Sequence, residues 1–199
     1  MAKYKDARRI VPVGPSTLIG AGGEYSDFQS IQDLLSSNAQ ALANLDDGTS
    51  SLTAKETWNY LRAVMYQRRN KMNPLWNDLI VAGPNFLGYV DKIGTSYTAT
   101  DMIATGFGSH LAMPILRSKW RPDMEEAEAR TLLEDCMRVL FYRDCRALNR
   151  IQIAKAFIPE GGDKTGDCNV SEPFVISTEW ESASFISTKG GMDEGDGGW

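Results

Sequence analysis

Apolar positions recur at helical spacing in two stretches of the N-terminal half. Between 24 and 43, Phe28, Ile31, Leu35 and Leu42 mark one face, and Ser26 with Gln29 has capping-box spacing. The second stretch opens with Thr53-Ala54-Lys55-Glu56, in which the hydroxyl and the carboxylate each satisfy a backbone N–H that the helix leaves free. Trp58, Leu61 and Met65 form its buried stripe, Arg68, Arg69 and Lys71 complement the negative end of its dipole, and Pro74 closes it. Between strand and helix, the run Gly20-Ala21-Gly22-Gly23 predicts close helix-on-strand packing.

Strand-like runs flank turn signals. Residues 9–13 and 17–20 lie either side of Gly14-Pro15, residues 76–82 and 86–93 either side of Gly83-Pro84-Asn85, and 96–99 forms a third short strand. A helix is predicted over 106–119, where the internal Pro114 implies a kink or a late start. The last long helix is capped by Asp123, with Glu126 three residues on. Its apolar face is Ala129, Leu132, Leu133, Cys136 and Leu140, and Arg138, Arg143 and Arg146 crowd its end. Strands follow at 150–157 and 174–178, with a hairpin turn at 163–167 between them and a short helix at 180–186. Strands, two helices, strands, two helices, strands is not the alternation of a doubly wound sheet. It predicts an α+β fold, a four-layer αββα sandwich in which each helix pair covers a sheet.

Composition narrows the function. The 199 residues fit one domain, 1–186, followed by an acidic, Gly-rich tail, 187–199. A net charge of −5 without a dense basic block disfavours nucleic acid, and no apolar run is long enough for a membrane span. Three cysteines without a C-x-x-C pair read as free thiols of a reducing compartment, cytoplasm or nucleus. His110 is the only histidine and no G-x-S-x-G elbow exists, so neither a serine triad nor a metal centre is expected. No cofactor is expected either, because Tyr25 stands where a dinucleotide loop needs its third glycine. Gly48-Thr49 and Gly94-Thr95 are the two places where self-cleavage would expose an N-terminal threonine. They read as a loop and a tight turn.

Three segments carry a resemblance: RRNKMNPLWN (68–77), NFLGYVDKIGTSYTATDMIATGFGSHLAMPILR (85–117) and CMRVLFYRDCRALNRIQIA (136–154), with TLIGAGGEYSDF (17–28) in support. The chain resembles the proteasome beta-subunit family, and within it a non-catalytic branch. The resemblance implies the sandwich of the N-terminal-nucleophile hydrolases. In that fold a terminal threonine attacks a peptide carbonyl while a lysine and the free amine manage the proton. It also implies that the chain lacks the family's first β-hairpin, which carries that threonine, lysine and a tuning aspartate.

Of the later site, Asp144 matches the aspartate after the last long helix, and Ala147 stands where active members carry a serine. Thr105-Gly106-Phe107-Gly108 matches a loop that offers a serine and a backbone N–H, with Phe107 in the serine's place. Asp144 therefore reads as structural, pairing with a nearby arginine or capping its turn. The implied function is a non-catalytic structural subunit of the 20S core, bound to other alpha and beta subunits in a 28-subunit particle. A stand-alone amide hydrolase exposed by processing, or a regulatory pseudo-subunit, is the alternative. Without the hairpin, a sheet edge and part of an apolar face are expected to lie uncovered, so that the isolated chain aggregates or is molten.

Overall fold

The computed structural model describes residues 7–45, 51–159 and 166–178. Its first layer is an antiparallel sheet in the order β1 (Ile10–Val13), β2 (Thr17–Gly23), β3 (Asn77–Gly83), β4 (Phe86–Val90) and β5 (Ser96–Thr98). Register places Ile19 opposite Val81 and Ala21 opposite Leu79, and Leu79 in turn opposite Val90. These residues share the face covered by α1 (Tyr25–Leu45) and α2 (Ala54–Asn70). Phe28, Ile31 and Leu35 of α1 and Leu61 and Met65 of α2 complete a core in which each is essentially sealed from water. Each such side chain contributes about 1.5–3 kcal/mol. Trp58 is half-buried. Its Nε1 donates to the Tyr89 carbonyl at 3.0 Å, and its ring packs edge-on to Phe86. Gly88 makes this possible, because a Cβ there would overlap the indole.

The α2 capping box forms as its sequence predicts: Thr53 N donates to Glu56 Oε2 at 2.9 Å, and Glu56 N to Thr53 Oγ1 at 3.3 Å. These bonds from Thr53, backbone first and hydroxyl second, hold the Glu56 carboxyl below its ordinary value. The helix ends at Asn70, earlier than Pro74 requires, and the chain reverses through Met72 at φ +53°.

Two expectations for α1 fail. Ser26 lies inside the helix and donates to Glu24, so it caps nothing. The glycine run does not serve helix packing, since a Cβ at Gly20 would meet open space. What requires glycine is Gly23, at φ +92°, where the chain turns so tightly against the Trp76 carbonyl that a Cβ has no room.

The second layer is a long two-stranded ribbon rather than a sheet. β6 (Arg150–Ile151) pairs with β9 (Phe174–Val175), and β7 (Ala154–Phe157) with β8 (Asp167–Val170). Ile151 faces Phe174 while Ala154 faces Val170, so three residues, 171–173, oppose two, 152–153. This is a bulge, and it breaks the strand predicted over 150–157. Ser171 Oγ accepts from Ile153 N at 3.0 Å and Ser171 N donates to the Ile153 carbonyl at 2.8 Å, so the pair stays bonded through the bulge.

The ribbon packs on the turn end of the sheet, where Gly166 meets Ser16 and Pro84. It leaves a cleft of about 520 Å³ lined by apolar and polar residues together, Leu18, Ala82, Leu87, Ala154 and Ala156 with Asn85 and Thr100. Of the segments beyond it, the turn at 163–165, the helix at 180–186 and the boundary at 186 lie outside the described residues.

Outermost lie α3 (Gly108–Lys119) and α4 (Glu126–Arg143), joined by a small cluster of Ala112, Leu116, Leu132 and Cys136. α3 starts two residues later than predicted and runs on through the exposed Pro114. Asp123 does not cap α4. The preceding residue is Glu125, without a side-chain cap, and Asp123 sits 3.8 Å from Arg121. Met124 turns in to pack on the cluster, which delays the helix. Leu133 is 45% exposed, so the α4 apolar face is narrower than its spacing suggests. The layers thus run α1/α2, sheet, ribbon, α3/α4, the four-layer sandwich predicted.

Candidate functional site

Asp144 is the C-cap of α4, its N–H donating to the Leu140 carbonyl at 2.8 Å. The chain then closes a tight turn on it. Arg146 N donates to Asp144 Oδ1 at 2.9 Å, and Ala147 N to the Asp144 carbonyl at 3.0 Å. The Arg146 side chain folds back, placing Nε 3.6 Å from the same Oδ1. Its guanidinium lies over the Phe107 ring, 5.6 Å from the centroid. The structure therefore brings Asp144, Ala147 and Phe107 together from segments about forty residues apart, with Arg146 as the link.

Gly106 is the fourth member. It adopts φ +56°, a conformation that favours glycine, and its carbonyl accepts from Ser109 Oγ at 2.7 Å. Gly108 N donates to the Thr105 carbonyl at 3.0 Å, completing the turn that opens α3. Thr105 in turn lies beside Gly22 at the end of β2.

The chemistry of this cluster is that of a fastener. The carboxylate is engaged by its own turn and by Arg146, Ala147 offers neither donor nor base, and Phe107 presents hydrocarbon. Elsewhere, His110 is exposed in the first turn of α3. Burial pushes the Cys136 and Cys168 thiols up, which keeps them protonated and poor nucleophiles. Gly94-Thr95 sits in the β4–β5 turn, where Asp91 Oδ1 accepts from Ile93 N and Thr95 N at 2.9 and 2.8 Å. Gly48-Thr49 lies outside the described residues. Among the described residues no group of three or more His, Cys, Asp or Glu is placed to hold a metal ion, and no helix is long and apolar enough to cross a membrane.

Sequence reasoning asked for an arginine beside Asp144 and did not single out which. It assigned Arg146 to the end of the helix dipole, but α4 ends at Arg143. The available signal was spacing: in Asp-x-Arg, a carboxylate that accepts from the i+2 amide places the i+2 side chain next to itself.

A family profile described as "Proteasome subunit" matches residues 1–156. "Proteasome subunit beta type-4" of Arabidopsis thaliana is 46% identical over 193 residues, covering 95% of this chain and 75% of the relative. The Dictyostelium discoideum protein of the same name is 46% identical over 162 residues, covering 78% of this chain and 62% of the relative. "Probable proteasome subunit beta type-7" of Schizosaccharomyces pombe is 40% identical over 188 residues, covering 89% of this chain and 70% of the relative. With a four-layer sandwich in place and the family profile matching most of its length, the chain belongs to the proteasome beta-subunit family.

Proposed function

We propose that the chain is a non-catalytic structural subunit of the 20S core particle, of the type called beta-seven or beta type-4. It occupies a position in a beta ring of a 28-subunit assembly in cytoplasm and nucleus, and contributes to protein degradation by holding its neighbours in place. The observation that carries this reading is the Asp144–Arg146–Phe107 contact. The carboxylate that would serve a threonine nucleophile is turned to fastening the α3 entry onto the α4 exit.

The test is incorporation. An affinity-tagged full chain is expressed in cells and followed on native gels of purified core particles, with mass spectrometry of its mature N-terminus. The expected result is recovery in fully assembled, peptidase-active particles with no newly exposed Thr, Ser or Cys terminus. A newly exposed nucleophile would revive amide hydrolysis, and accumulation only in half-assembled particles would favour a regulatory subunit.

A further inference from the structure

Lys119, the last residue of α3, and Arg121, in the loop that follows, line a groove of about 340 Å³ against α4. Each meets one carboxylate of α4. Lys119 Nζ lies 3.6 Å from Asp135 Oδ2, and Arg121 Nη2 lies 2.9 Å from Glu128 Oε2. Between these two pairs, three residues after Glu128 and four before Asp135, stands Thr131. Those spacings put all three on one face of the helix, and Thr131 lines the same groove with its side chain exposed. Its hydroxyl donates back into its own helix, to the Ala127 carbonyl at 2.9 Å.

The sequence around Thr131 is acidic. Five of the twelve residues within six positions of it carry carboxylates: Glu125, Glu126, Glu128, Glu134 and Asp135. A carboxylate three residues on, in an acidic stretch, is what acidophilic protein kinases read. Ser30, Thr53 and Thr98 also have an acid at that position, but the same window holds three around Ser30 and one around Thr98, and the Thr53 hydroxyl is taken up by the α2 cap. The basic neighbour, Arg130, is drawn off to Glu134 and to the Phe174 ring of the ribbon. α4 also starts without a side-chain cap, so its first two turns, which include Thr131, open at low cost to present an extended substrate.

We propose that Thr131 is a phosphorylation site for an acidophilic kinase, and that its phosphate draws Lys119 and Arg121 away from Asp135 and Glu128. Thr131 Oγ1 attacks the γ-phosphorus of a nucleoside triphosphate. The Oγ1–P bond forms, the bond from that phosphorus to the diphosphate leaving group breaks, and the hydroxyl proton passes to the kinase's base. The product carries about −1.5 to −2 charge at neutral pH and three strong acceptor oxygens. It is repelled by carboxylates one turn away on either side and attracted by the two cations across the groove. The bond to the Ala127 carbonyl goes with its donor proton. Asp135 also accepts from Arg138 Nη1 at 2.6 Å, and Arg138 Nε donates to the Ser177 carbonyl at 2.9 Å. A phosphate on Thr131 thus acts on the point where α3, α4 and the strand leaving β9 are joined. The inference does not depend on the assembly reading above.

The tagged full chain is purified, treated with casein kinase 2 and magnesium-ATP, and mapped by mass spectrometry. Thr131 is expected to be the principal site, and its phosphopeptide to be lost in Thr131→Ala. Phosphorus NMR then titrates the phosphate. Lys119 and Arg121 favour its dianion, so in K119Q/R121Q its second pKa should rise by about half a unit. Absence of phosphate from Thr131, or no more of it there than on Ser30 and Thr98, overturns the site. An unchanged titration in K119Q/R121Q overturns the role given to the two cations.

Discussion

Asn77 holds the junction on which the first layer depends. It is the first residue of β3 and is 1% exposed. Its Nδ2 donates to the Gly22 carbonyl at 2.9 Å and to the Glu24 carbonyl at 2.8 Å. Two further bonds meet there, Glu24 N to the Trp76 carbonyl at 3.0 Å and Trp76 N to Asp27 Oδ2 at 2.8 Å. Asn77→Ala removes both amide bonds on the β2–α1 corner; the Gly22 carbonyl loses this donor, while the Glu24 carbonyl keeps the bond from Phe28 N at 3.2 Å. At about 1 kcal/mol net for each bond, the junction should weaken by ~2 kcal/mol, or about 30-fold in its opening equilibrium.

Amide hydrogen exchange read by mass spectrometry in assembled particles measures this without requiring the isolated chain to be well folded. Peptides covering 18–28 and 77–83 should exchange about 30-fold faster, while peptides from α4 stay near wild type. Asn77→Asp should be worse than Asn77→Ala at neutral pH, because a carboxylate would then face two carbonyl oxygens. A change below about threefold at the junction, or an equal change in α4, would refute the argument that Asn77 acts locally through these two bonds.

Four other outcomes are expected. Thr53→Ala should cost about 1 kcal/mol through loss of the α2 cap, seen as faster exchange in its first turn. The Glu56 carboxyl is held below its ordinary value, so its contribution is present above the unfolded pKa and lost as pH falls through the lower folded one. Glu56→Gln should remove that acid sensitivity. The Tyr89 hydroxyl is pushed up to about 12, by burial first and then by Asp78, Asp91 and Tyr97. Its contribution is intact below the ordinary tyrosine value and lost as pH rises toward about 12; ultraviolet titration should show a late tyrosinate step that Tyr89→Phe abolishes. Asp144→Ala should cost about 1 kcal/mol and leave particle peptidase activity unchanged, and a large loss of activity in normally assembled particles would contradict the fastener reading.

Local rules were legible where local forces decide. The α2 cap, the turns at Gly14 and Gly83 and the α2 core stripe need only neighbours a few residues away, and each formed as read. Errors arose where distant groups compete. Ser26 lost its capping role because the corner before α1 is satisfied from the far side, by Asn77 and the Trp76 carbonyl. Asp123 heads a run with several acidic candidates for the start of α4, and the choice fell to where Met124 could pack. The ribbon bulge has no period of its own; it is held by Ser171 bonding across the strand pair to Ile153. Asp144 was recognised, yet its contact with Phe107 spans about forty residues and follows only from the topology.

That contact matters more once the energetics of the layers are compared. The first layer is sealed by Ile19, Leu79, Val81, Phe28, Ile31 and Leu61, all at 0% exposure. The α3–α4 pair has a much smaller cluster and reaches the ribbon through exposed or half-exposed contacts: Lys155 with Glu126, Arg138 with the Ser177 carbonyl, and Arg130 over Phe174. The one ion pair among these three, Lys155 with Glu126, is exposed and contributes between nothing and about 1 kcal/mol. The orientation of the outer helices therefore depends on groups that are shielded and covalently short-tethered. Asp144 qualifies, since its side chain is only 18% exposed and its turn is closed by three backbone bonds. Through Arg146 it grips the start of α3, and through Thr105 that start touches β2 of the first layer. Asp144, Arg146 and Phe107 thus join the least stabilised layer to the most stabilised one.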